Sequence, residues 1–356
     1  MCLRDRNYIG RNLQDGVKGA TINAVASSMP ELFIALFFLF FLKDLTGFSG
    51  GLGTSFGSVL FNSLIIPSTA VLGVLSKSKK NAVVVSRKII VRDGLWLLLV
   101  EFVLIYFIQQ GVISWVESLV LIILYGLYVL YLFKTMKGGH DINYEEPFSD
   151  KDKVSFLSAF IILDLKRMII GNQKLNTRTA WVVFVVSSLI IGFVCYFLVL
   201  ACEWLGSETY SVYGFGELQG LGIPLLFVAI VFAAIGSSFP DTIISYKDAQ
   251  KGNYDDAISN AYGSNIFNLC VALGVPLFFF TFLYGPIELT QEIVSLITSL
   301  SLWFFGLTAF SIFLYTRLGG VTRSQALILI ASYVCLLYTS DAADDTPCVD
   351  LGGRRI

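Results

Sequence analysis

Histidine is almost absent from this chain of 356 residues. The single one, His140, excludes a histidine-rich metal centre. Charge is scarce as well: Asp, Glu, Lys and Arg make up 14% of the residues against 55% hydrophobic ones, too few to cover a soluble surface. The 25 basic residues are offset by 26 acidic ones, so there is no basic footprint for nucleic acid. Six cysteines, Cys2, Cys195, Cys202, Cys270, Cys335 and Cys348, form neither a CxxC pair nor a small disulfide framework. No basic stretch followed by a short apolar run and a small-residue cleavage site precedes the first long apolar segment, so no cleaved signal is expected.

What the chain has instead is apolar length, with a mean hydropathy of +0.73. A bilayer crossing takes about 20 residues of helix. Segments of that kind lie near 19–42, 54–75, 94–109, 112–133, 180–202, 222–246, 257–283, 291–316, and from 324 onward. The expectation is an all-α polytopic membrane protein with nine visible spans. Residues 335–356 read as the in-frame translation of a sequencing-library adapter and are set aside, which leaves the last span cut inside a helix.

Cytosolic connections carry the excess of Lys and Arg. Here Arg4, Arg6, Arg11 and Lys18, the six basic residues from Lys77 to Arg92, eight in the 134–179 connection, and Lys247, Lys251, Arg317 and Arg323 all fall on one side. Outside the tail only Lys43 falls on the other, with Glu203, Glu208, Glu217, Glu288 and Glu292. The basic side is assigned to the cytosol. The division expected is 1–18 as a cytosolic connection, 19–133 as a first membrane repeat, 134–179 as a cytosolic loop, and 180–334 as a second membrane repeat. Within the loop, Val154–Ile170 is apolar enough for an interfacial helix, and an ordinary loop folded back on the spans is the other reading. Nothing in it resembles a catalytic domain, and no enzyme is expected.

Two segments about 210 positions apart match: Ser27-Ser28-Met29-Pro30-Glu31 and Ser237-Ser238-Phe239-Pro240-Asp241. Each is followed by a second matching element, Gly57-Ser58 to Phe61-Asn62 and Gly263-Ser264 to Phe267-Asn268. Five crossings separate Glu31 from Asp241, so the two units point in opposite directions. Inverted repeats of secondary transporters place the substrate between them near the midplane.

A carboxylate at that depth costs several kcal/mol unless it faces a partner or a wet cavity. Each mid-span proline removes a backbone hydrogen bond and is expected to break its helix, freeing carbonyls. Ser27, Ser28 and Glu31 share one helix face, as do Ser58 and Asn62, and Ser264 and Asn268. Any single serine among these also has the ordinary option of bonding to its own helix. The donor set is all oxygen, which suits Ca²⁺ or Na⁺ rather than a soft metal. Two carboxylates neutralise one Ca²⁺ or two monovalent ions, so those loads could compete. Glu101 has no repeat partner and reads as a structural or lumen-facing acid, Glu117 as an interfacial one, and the 30 Phe and 16 Tyr as lipid-facing packing and anchors.

These paired elements resemble the two alpha repeats of the cation/calcium antiporter superfamily. Ser114-Trp115-Val116-Glu117-Ser118-Leu119 through Tyr125, Tyr128 and Tyr131, with Arg92-Asp93 before the preceding span, is similar to its potassium-dependent sodium/calcium exchanger branch. The resemblance covers most of residues 15–334. It implies ten spans, the first of them missing here, and a Ca²⁺/Na⁺ antiporter working by alternating access without a resident cofactor. Carried over residue by residue, the ion ligands are Glu31, Ser27, Ser28, Ser58 and Asn62 from the first repeat and Asp241, Ser237, Ser238, Ser264 and Asn268 from the second. The potassium-dependent branch usually has an aspartate where this chain has Asn268, which puts K⁺ coupling in question. A proton-coupled cation antiporter and a non-transporting truncated member of the family remain the alternatives, in the plasma membrane or an endomembrane.

Overall fold

Proline treats the two repeats differently. In the computed structural model, which describes residues 17–43, 45–77, 81–135, 168, 177–212, 214–317 and 320–344, the first apolar segment is two helices. These are α1 (Gly19–Ser27) and α2 (Met29–Leu42), bent by 45° at Ser28. Ser28 leaves the helical region at φ −91°, ψ 12°, and Pro30 falls in the first turn of α2, where its missing N–H costs nothing. In the second repeat the expected break does not occur: Pro240 lies inside the continuous helix α7 (Leu225–Gln250). The Gly236 carbonyl still loses its usual donor, because proline has no N–H to give. The irregularity common to both repeats is instead a π-helical turn just upstream, Gly19–Asn23 in α1 and Ala229–Ala233 in α7.

The other helices are α3 (Leu45–Lys77), α4 (Arg87–Gln109), α5 (Trp115–Thr135), α6 (Thr177–Gly206), α8 (Tyr254–Tyr284), α9 (Gln291–Tyr315) and α10 (Arg323–Asp344). Each of the nine long apolar segments is therefore helical over most of its described length. Six helices, α3 and α5 to α9, are long and apolar enough to cross a membrane, and the bent pair α1–α2 makes a seventh if it is one span. Charge keeps α4 out of that set, with Arg92, Asp93 and Glu101 in its length, and the apolar part of α10 among the described residues, Arg323–Leu337, is too short. The expected interfacial helix at Val154–Ile170 lies outside the described residues except for Met168.

α3 and α8 form the centre. Of their apolar windows, 78% and 67% are buried inside the protein, against 22% for α5 and α9. The outer helices turn large apolar side chains such as Phe102, Leu189, Phe193 and Trp303 outward. In a multi-pass membrane protein that is the lipid face.

Glycine sets how closely the central helices cross. A Cβ on Gly57 of α3 would stand 2.3 Å from the Ile230 carbonyl oxygen of α7. A Cβ on Gly263 of α8 would stand 2.5 Å from Ala20 Cα of α1. Neither helix could come so near carrying a side chain at that point. The two contacts are equivalents, with repeat partners exchanged.

The short strands follow the same rule. β1 (Ala82–Val83) pairs antiparallel with β6 (Val321–Thr322), and β2 (Val112–Ile113) with β5 (Ile287–Glu288). Shifted by the repeat distance, β1 corresponds to β5 and β2 to β6, so each strand pairs with the counterpart of the other. Each pairing joins connections that the basic-residue pattern puts on one side. β3 (Thr209–Val212) and β4 (Gly216–Gln219) form a separate hairpin.

The buried apolar residues fall into two clusters. The larger contains α3, α4, α5, α8, α9 and α10, while the smaller joins Ile34 and Phe38 of α2, Cys195, Val199 and Cys202 of α6, and the first turns of α7. α2 and α7 contribute to both.

Candidate cation site

All ten residues expected at the site are buried, Glu31 with 1% and Asp241 with none of its surface exposed. Glu31 stands one turn beyond the α1–α2 break, and its Oε1 accepts hydrogen bonds from Ser58 of α3 and Ser238 of α7, both at 3.3 Å. Asp241 Oδ1 accepts from Ser264 of α8 at 2.9 Å. Hydroxyl pairs tie the halves together: Ser58 to Ser237 at 3.3 Å and Ser27 to Ser264 at 3.5 Å. For Ser27 and Ser237, each with one proton to give, the carbonyls of their own helices, Asn23 and Ala234, are the alternative acceptors, as is common for helical serines.

Two of these three contact types obey the repeat. Ser58 on Glu31 is answered by Ser264 on Asp241, and Ser58 with Ser237 by Ser264 with Ser27. The third does not: Ser238 donates to Glu31, while the equivalent Ser28 Oγ has no hydrogen-bond partner among the described residues. In its place Asn260 Nδ2 donates to Asp241 Oδ1 at 3.2 Å and to Ser245 Oγ at 3.1 Å.

Repetition could not find Asn260, because Thr54 occupies its place in the first repeat and bonds to the Gly50 carbonyl of its own helix. The signal present was spacing. Asn260 precedes Ser264 by four residues and Ser245 follows Asp241 by four, so each extends an established helix face.

Asn62 and Asn268, also repeat equivalents, are fully buried with neither amide oxygen nor amide nitrogen bonded among the described residues. Glu31 Oε2 is likewise buried and unbonded. Asn268 lies on a π-helical turn of α8 that packs on the first part of α2, the helix of Glu31. Buried polar groups are nearly always satisfied, so such a collection marks a place built for something other than packing.

The available oxygens are carboxylate, hydroxyl, amide and main-chain carbonyl. Among the described residues no group of three or more His, Cys, Asp or Glu could hold a metal. The donor set thus has two acids and otherwise neutral oxygen, which fits hard cations and leaves soft transition metals without a ligand. Asn265 is close by, its Nδ2 donating to the Val59 carbonyl at 3.0 Å and to Ser63 at 2.8 Å, while its Oδ1 is buried with no hydrogen-bond partner among the described residues. Glu101 Oε1 takes a hydrogen bond from Thr308 of α9 at 2.9 Å and so joins α4 to α9, while its Oε2 is buried with no hydrogen-bond partner among the described residues.

A family model described as sodium/calcium exchanger protein matches residues 7–134 and 179–340. The human sodium/potassium/calcium exchanger 5 is 25% identical over 389 aligned positions, which take in 91% of this chain and 75% of that protein. The rat sodium/potassium/calcium exchanger 3 is 36% identical over 119 residues, 33% of this chain and 18% of the relative. The match to it therefore spans less than a fifth of that protein. Among solved structures, the H⁺/Ca²⁺ exchanger CAX superposes with a TM-score of 0.60 at 14% identity, over 93% of this chain and 81% of that one. The sodium-calcium exchanger NCX_Mj, soaked with 2.5 mM Na⁺ and 10 mM Sr²⁺, gives 0.56 at 18% identity over 94% and 91%. At such identities the likeness is one of fold.

Proposed function

The chain belongs to the sodium/calcium exchanger protein family, and on that premise we propose that it is a secondary antiporter exchanging Ca²⁺ for Na⁺ at one site between two inverted repeats. The observation that carries this reading is the pair Glu31 and Asp241, each buried and each held by a hydroxyl of a central helix, with an amide that has no partner among the described residues one helical turn along from that hydroxyl. Two negative charges match one Ca²⁺ or two Na⁺. The loads exclude each other by charge, and exclusion at one site is the minimum condition for exchange.

The remaining assignments belong to the same reading. The ten oxygen-bearing residues expected from the sequence are the ligand set. The chain presents nine of ten spans, with the connections rich in Lys and Arg towards the cytosol, and alternating access exposes the site to one side and then the other. The exchanged pairings β1–β6 and β2–β5 support an inverted arrangement, since each joins connections of the same expected side. K⁺ coupling is weakened by the amide at Asn268, which removes one negative charge from a low-dielectric site.

The test is flux. Vesicles containing the chain should take up ⁴⁵Ca²⁺ down an opposed Na⁺ gradient, and Glu31→Ala or Asp241→Ala should abolish uptake while insertion is kept. Absence of Na⁺-driven flux refutes the exchanger, and flux retained by either variant refutes the site. A proton-coupled variant is the second reading, since an H⁺/Ca²⁺ exchanger shares this fold. In that case a pH gradient alone drives uptake and Na⁺ has no effect.

A further inference from the structure

The two repeats are not equally polar between the site and the membrane surface. On α7, Asp241, Ser245 and Asp248 follow one another at helical spacing on one face, and on α8 so do Asp256, Asn260 and Ser264. The faces meet: Asn260 donates to both Asp241 and Ser245. Further out, Asn23 Nδ2 of α1 donates to Asp248 Oδ2 at 3.4 Å, and the Gly19 N–H donates to Asp256 Oδ1 at 3.3 Å. The result is a column of polar side chains from the carboxylate site to the α7–α8 turn, with Lys247 in the last turn of α7 and Lys251 just after it. Lys18, also buried, precedes Gly19 at the same end, so both signs of charge occur there.

The first repeat serves as an internal control. The counterparts of Asn23, Ser245, Asp248, Asp256 and Asn260 are Ala233, Ala35, Phe38, Gly50 and Thr54. Phe38 is fully buried with its ring over Gly50, where an added Cβ would stand 2.8 Å from it. The same fold thus fills this region with Ala, Phe, Gly and a Thr bonded to its own helix on one side and buries two carboxylates on the other. Desolvating a carboxylate costs several kcal/mol even after relaxation, so stability alone does not select the polar version.

A second observation points to a ligand. Asn23 and Asn260 are fully buried, each uses its Nδ2 within the column, and each Oδ1 has no hydrogen-bond partner among the described residues. Two acceptor carbonyls beside carboxylate oxygens and a hydroxyl are an oxygen lining suited to a hard cation.

We propose that Asn23, Ser245, Asp248, Asp256 and Asn260 form a one-sided passage and staging position for the transported cation, between the Glu31–Asp241 site and the α7–α8 turn. On the opposite side Phe38 seated over Gly50 takes the place of a polar route. The inference rests on the exchanger reading above.

Accessibility of an introduced thiol tests the passage without requiring flux. Ser245→Cys keeps the size of the side chain, and Ala35→Cys marks its counterpart. In reconstituted chains, with labelling of the parent subtracted, a cationic methanethiosulfonate reagent should modify Ser245→Cys from the side of the basic connections. Relative to their rates with a free thiol, it should do so about tenfold faster than an anionic reagent, because Asp241, Asp248 and Asp256 outnumber the buried Lys18 along the column and concentrate cations. Labelling from the other side should be slow, Ala35→Cys should be slow from both, and adding Asp248→Asn should remove most of the charge preference. Equal reactivity of the two positions, equal reactivity from both sides, or no charge preference overturns the passage. If Ser245→Cys labels as expected and Na⁺-driven Ca²⁺ flux is absent, the exchanger reading has failed; if flux is present and Ser245→Cys is unreactive, the passage has.

Discussion

Asn62 and Asn268 occupy positions where an apolar residue of similar size would serve the fold better. Each buries an amide whose oxygen and nitrogen are both unbonded among the described residues. An unsatisfied buried polar group costs about 1–3 kcal/mol, and replacing it with an apolar group of like shape recovers much of that. Asn268→Leu should therefore raise the melting temperature in detergent while lowering Ca²⁺ flux sharply. A melting temperature that falls together with flux would mark Asn268 as a structural residue and remove it from the ligand set. The carboxylates, serines and asparagines of the two repeats were legible in the sequence because the same oxygen-bearing types recur at the same spacing within apolar surroundings. Asn260 was not, because Thr54 stands at its repeat position and a search by repetition discards it. Nor could the sequence say that Ser28 and Ser238 differ in role, since that depends on which side chain Asp241 recruits.

At the scale of the helices, the proline rule held once in two cases. Pro30 accompanies a bend at Ser28, and Pro240 is absorbed within α7, where the neighbouring backbone keeps the helix going. The π-helical turns before both motifs have no sequence signal of comparable strength. Asp93 is a further case. It accepts from Arg92 at 2.6 Å, Tyr128 at 3.1 Å and Ser259 at 2.5 Å, and so ties α4 to α5 and α8. Arg92-Asp93 and Tyr128 were each conspicuous in the chain, and only packing connects them. Close helix crossings give the clearest test at this scale. Gly263→Ala puts a methyl group 2.5 Å from the backbone of Ala20, which cannot yield as a side chain end would. Overpacking of this kind typically costs about 1–3 kcal/mol. Gly306→Ala on α9, with nothing within 4 Å of the added Cβ, should be neutral or gain up to about 1 kcal/mol from helix propensity. Thermal unfolding of the two variants side by side checks this, and equal melting temperatures would mean that α1 and α8 are less closely apposed.

For the whole molecule, the two apolar clusters decide what can move. The strand pairs β1–β6 and β2–β5 tie together connections of the larger cluster at both ends, whereas the clustered residues of α6 are in the smaller one and α2 straddles the two. Glu31 lies on α2 and is bonded to Ser58 on α3, so the site sits on the seam. Packed cores shift between discrete arrangements rather than deforming smoothly, and a seam between two cores is where sliding costs least. If exchange needs α2 to move against α3, a covalent link across the seam should stop it and a link within the larger body should not. A Cβ at Gly51 lies 3.8 Å from the Ala35 Cβ, inside the roughly 3.5–4.5 Å that a disulfide spans. Oxidising Ala35→Cys/Gly51→Cys should reduce Na⁺-driven Ca²⁺ flux by about tenfold or more, and reduction should restore it. Ala82 and Thr322 are opposed in register between β1 and β6, and their antiparallel pairing suits the same chemistry. Oxidised Ala82→Cys/Thr322→Cys should keep flux within about twofold of its reduced form if the larger cluster moves as one body. The opposite ranking of the two cross-links would place the moving boundary between the paired strands and leave α2 and α3 as a single unit.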